Sequence, residues 1–72
     1  MLIPSWVKHR AIVWWKHRDG SRVLCRVTQV GHEYVVLQIL TATPEQVIHI
    51  QRGVGEQVQI MWQDGLLQLA RL

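Results

Sequence analysis

Two pentapeptides hold the residue types that could do chemistry. Trp6-Val7-Lys8-His9-Arg10 and Trp14-Trp15-Lys16-His17-Arg18 repeat an aromatic and basic pattern at a spacing of eight residues. Lysine and arginine neutralise phosphates, and an indole ring stacks on an unpaired base at roughly 1–3 kcal/mol. Eight is even, so an extended strand would turn both copies the same way. That face reads Trp6, Lys8, Arg10, Ile12, Trp14, Lys16 and Arg18, and leaves Val7, Ala11, Val13 and Trp15 for the core. Arg22 and Arg26, outward on the next strand, widen the basic surface. Stacking needs unpaired bases, so the expected ligand is single-stranded, with RNA favoured over DNA. Two other readings stay open. Clustered tryptophans can build an interface with a partner chain. A helix from after Pro4 to near Gly20 would set Lys16, His17 and Arg18 in its last turn.

Charge supports a polyanionic partner. The whole chain is +3 with a pI near 9.8, but residues 1–26 carry +5 and residues 27–72 carry −2. The basic half holds Lys8, Arg10, Lys16, Arg18, Arg22 and Arg26 against Asp19 alone. Such asymmetry marks a nucleic-acid partner as the first candidate.

Other chemistry is poorly provided for. His9, His17, His32 and His49 lack metal-ligand spacing, and the single cysteine gives them no partner, so no metal or other cofactor is expected. Cys25 falls on the apolar face of an expected strand and reads as inert core. Glu33, Glu45 and Glu56 show no paired spacing, and Asp19 and Asp64 belong to Asp-Gly turns. Gly53-Val54-Gly55 is too short for a phosphate-binding loop. No nucleophile, base and orienter assemble, so the expected function is non-catalytic.

The elements that must position these residues are short strands. Turn signals at Asp19-Gly20, Gly31-His32, Thr43-Pro44, Gly53-Val54-Gly55 and Asp64-Gly65 recur at the rhythm of a small all-β domain. Asp-Gly suits type I′ hairpins, which need positive φ at both central residues. Val23, Cys25 and Val27 alternate with Arg22, Leu24 and Arg26, and Val58, Ile60 and Trp62 alternate with glutamines and Met61. Segment 34–40 is apolar on both faces and asks for cover on both, the outer one from a second subunit. Segment 43–53 is contested. Thr43-Pro44-Glu45-Gln46 is a capping box with proline at the first helical position, with Gly53 as a stop. Val47, Ile48 and Ile50 are β-branched, which favours a strand over 46–52 after one short helical turn near 44–47. A final strand is expected near 66–72. A second echo pairs Trp15, Asp19-Gly20 and Arg26 with Trp62, Asp64-Gly65 and Arg71, as two hairpins of one design.

The expected fold is therefore all-β: one small domain over 1–72, a barrel or β-roll of five or six short antiparallel strands. Small barrels of the Sm-like or Tudor-like kind share its size and its Asp-Gly turns.

Ile50-Gln51-Arg52-Gly53-Val54-Gly55-Glu56-Gln57-Val58-Gln59-Ile60 resembles the opening strand and turn of the carbon storage regulator family, an Arg-x-x-Gly-Glu core followed by apolar residues. Val23 to Val30, Val35 to Ile39 and Pro44-Glu45-Gln46-Val47 are similar to that family's later strands and its Ala-Pro-x-x-Val element. The order differs, because here the Arg-x-x-Gly-Glu segment follows the strands that it precedes in the family. The resemblance implies an intertwined β dimer that binds single-stranded loops of messenger RNA and blocks translation, with Arg52 on the RNA.

Composition bounds the rest. At 72 residues and 8.4 kDa, 49% hydrophobic and 18% charged, the chain is no disordered tail. No apolar run reaches the roughly 18 residues of a membrane span. The start lacks a charged segment leading into an apolar one, so a cytoplasmic protein is expected. So small a core gains only about 3–5 kcal/mol, which points to a homo-oligomer, a dimer or small ring.

Overall fold

Alternation decides which side of each strand is buried. A computed structural model describes residues 3–71 of the chain. The elements are β1 (Ile12–Lys16), β2 (Arg22–Val30), β3 (Tyr34–Thr41), α1 (Pro44–Ile50), β4 (Gln57–Met61) and β5 (Leu67–Leu69). All strand pairs are antiparallel, in one five-stranded sheet of order β4-β3-β2-β1-β5. The fold is all-β with one short helix, as its β-branched, period-two segments require.

Val13 of β1, Val23, Cys25 and Val27 of β2, and Val35, Leu37 and Ile39 of β3 are all 0% exposed. Leu67 of β5, Val7 and Trp62 complete this cluster. A single sheet that buries one face so fully must curl over its own inner side. Register shifts at Leu24/Cys25 and Val27/Gln29 give β2 and β3 the local bend that this needs. The outer residues of doubly apolar β3, Val36 and Leu40, are half-buried within the chain itself.

Several expectations are corrected. No strand forms over 46–52: α1 takes this segment as far as Ile50. Thr43 Oγ1 accepts from Gln46 N at 3.1 Å, and Thr43 N donates to Gln46 Oε1 at 2.8 Å, so the capping box overrides the β-branched residues. The helix ends at Gln51 (φ 58°), whose N–H donates to Val47 O, and not at Gly53. Arg52 thus stands in the connection after α1, off any strand.

The stretch 6–18 is neither one long strand nor a helix. Val7 N donates to Pro4 O and Ala11 N to Lys8 O, two tight turns. Arg10 adopts φ 75°, which stops extension before β1 begins at Ile12. Trp6, Lys8 and Arg10 therefore lie outside β1.

Neither Asp-Gly pair is a type I′ turn, since only Gly20 (φ 87°) and Gly65 (φ 81°) are left-handed there. Asp19 instead accepts from Ser21 N at 2.9 Å and Ser21 Oγ at 2.7 Å, bracing a longer 17–21 connection. The two echoed segments also differ in kind. Asp19-Gly20 joins neighbours β1 and β2, whereas 62–66 joins β4 and β5 at opposite edges. The expected 66–72 strand is the shorter β5, and Leu72 lies outside the described residues. No helix among the described residues is long and apolar enough to cross a membrane.

Candidate nucleic-acid interface

Val13 points into the core, so its neighbour Trp14 points out. Trp14 lies between Leu24 of β2 and Gln68 of β5 in register. The 17–21 connection starts β2 at Arg22, directly across from Lys16. Arg22 places its guanidinium carbon 4.6 Å from the Trp14 ring centroid, a cation–π contact. Lys16 and Arg22 are both exposed, and like charges directly opposite on paired strands cost stability. An anion bound between them would relieve that repulsion.

Beside this pair runs a groove of about 720 Å³ lined by Trp6, Trp14, Arg22, Leu67, Gln68, Leu69 and Arg71. Trp6 reaches it from the N-terminal turns while packing partly against the core. Trp6 and Trp14 thus share a groove although they do not share a strand. Gln68, exposed on β5, adds an amide able both to donate and to accept.

The other basic residues divide. Arg10 and Arg26 line a second depression of about 600 Å³ with His9, Ile12, Thr28 and Gln38. Lys8 and Arg18 are exposed in turns and line neither depression. Arg52 also stands apart, its Nη1 donating to Gln51 O at 2.9 Å. Arg71 was missed from the sequence, because only the return of β5 to β1 brings it beside Trp14. The echo of Arg26 in Arg71 was the one signal for it.

A third depression, about 420 Å³, lies between the 17–21 connection and α1 and includes His17, Asp19, Glu45, Gln46 and His49. The His17 ring sits 4.4 Å from Trp15 and 5.9 Å from His49. Its Nε2 is buried and has no hydrogen-bond partner among the described residues. Burial lowers the His17 pKa from its ordinary value; nearby Asp19 opposes this and His49 adds to it. Among the described residues no group of three or more His, Cys, Asp and Glu side chains is arranged to hold a metal ion.

No family model, curated protein or solved structure matches the chain.

Proposed function

We propose that this chain is a non-catalytic nucleic-acid-binding module that takes a single strand, RNA favoured, across the groove of Trp6, Trp14, Arg22 and Arg71. The observation that carries this reading is the Arg22 guanidinium held over the Trp14 indole at 4.6 Å on a groove wall shared with Trp6. Indoles offer stacking surface for unpaired bases, and arginine both stacks on bases and pairs with phosphates. Lys16, opposite Arg22, extends the track for the backbone, and Arg26 of β2 with Arg10 of the preceding turn offers a second phosphate contact. Lys8, Arg18 and Arg52 act at longer range as part of the positive field. The lone, buried and free Cys25 suits a reducing compartment such as the cytoplasm.

The test is a titration of the folded protein with labelled single-stranded RNA, single-stranded DNA and duplex DNA of one sequence. Binding should fall in that order. Failure to bind any of the three contradicts the reading. Leu69, 45% exposed on the same groove, favours a second reading in which the tryptophans dock a protein chain. That contact would change little with salt, whereas phosphate binding weakens steeply.

A further inference from the structure

β4 is an unprotected edge. It ends the sheet, with β3 as its one strand neighbour among the described residues. Trp62 N donates to Glu33 O at 2.8 Å and Ile39 N to Glu56 O at 3.0 Å. In the register Val35↔Ile60 and Leu37↔Val58, the alternation of antiparallel pairs then assigns Val58 and Ile60 to β3. Gln57, Gln59 and Met61 turn their N–H and C=O groups to the open side.

Native edge strands block further pairing with lysine, proline or a bulge. Gln57-Val58-Gln59-Ile60-Met61 has no charge and no proline, and its pairing with β3 runs without a register shift. Met61 is 61% exposed. The strand is also self-complementary. A two-fold axis through Gln59, perpendicular to the sheet, sets Gln59 against its own copy, Gln57 against Met61, and Val58 against Ile60. Every half-buried residue then meets a half-buried one, and every exposed residue an exposed one.

Charge selects a second copy as the occupant. The chain is +3 overall, but Lys16, Arg22 and Arg71 belong to the β2, β1 and β5 end of the sheet order. The nearest charge in sequence to β4 is Glu56, which the same axis places opposite Trp62 and not opposite another acid. Two copies can meet here without opposing like charges across the paired strands, and a polyanion finds no cation on β4.

We propose that β4 seats a second copy of this chain, paired antiparallel across a two-fold axis at Gln59 to form one continuous sheet. The interface is isologous and closes at two subunits. It leaves the aromatic and basic grooves at the two far ends of that sheet, but it stands whether or not those grooves bind nucleic acid.

Sedimentation velocity at micromolar concentrations tests it. The wild-type chain should sediment at twice its 8.4 kDa mass. Gln59→Pro removes an outward N–H without touching the β3–β4 ladder and should sediment as a monomer with an unchanged far-ultraviolet spectrum. Gln59→Lys puts like charges on the axis at an exposed position and should also be monomeric; it decides the matter if the proline variant does not fold. A wild-type monomer throughout, or a dimer kept by the folded Gln59→Lys chain, overturns the proposal.

Discussion

The guanidinium carbon of Arg22 stands 4.6 Å from the ring centroid of Trp14, which lies two residues along β1, one step along its outer face, from the Lys16 that opposes Arg22 in register. Both groups line an open groove whose lining holds no acid. Asp19, the one acid of the N-terminal part, is turned instead to Ser21. In the proposed complex a base stacked on this wall would meet the Trp14 indole, and its phosphate would meet Arg22 and Lys16.

Removing the indole is the simplest perturbation. Trp14→Ala should weaken single-strand binding by about 1–3 kcal/mol, roughly 5- to 150-fold. Trp6→Ala should weaken it too, with some loss of stability, because Trp6 also packs on the core. Fluorescence titration, with circular dichroism to confirm the fold, measures both.

The β2 strand was legible because Val23, Cys25 and Val27 repeat with period two and, Leu24 apart, their outward neighbours are polar or basic. Segment 43–53 was not, because two local codes disagree there. The Thr43 cap wins since Ile48, which argued for a strand, is 78% exposed and has no core to enter. Of the site, Trp14 and Arg22 could be read from one hairpin. Arg71 could not, for its place depends on a pairing between Trp14 and Gln68, far apart in the chain.

The cap itself is testable. Thr43→Ala removes the acceptor for Gln46 N and should cost about 1 kcal/mol. Urea denaturation should show a lower midpoint with an unchanged slope.

Acid should destabilise the chain through His17. Its folded pKa is lowered, by burial first, so the unfolded chain takes up more protons as pH falls through about 6.5. Stability is complete above that value and is lost between it and the lower folded pKa. Thermal melts from about pH 7.5 to 5 should show a falling Tm. His17→Leu should flatten that fall, and Asp19→Asn, which removes the opposing charge, should steepen it.

Cys25 should resist modification. Burial pushes its thiol pKa up to about 12, and the side chain is 0% exposed. A thiol reagent near pH 8 should label it only when the chain unfolds, at a rate that rises with urea. Rapid labelling in the native state would contradict the described core.

The measurement that bears most directly on the groove is the salt dependence of single-stranded RNA binding, for wild type and for Arg22→Ala/Arg71→Ala. The wild-type log–log slope should be steep, and the double variant should lower its magnitude by roughly 1.4, at about 0.7 per lost phosphate contact. Arg52→Ala, outside the groove, should leave the slope near its wild-type value. A folded double variant whose affinity and slope match the wild type would show that nucleic acid, if bound at all, is held elsewhere.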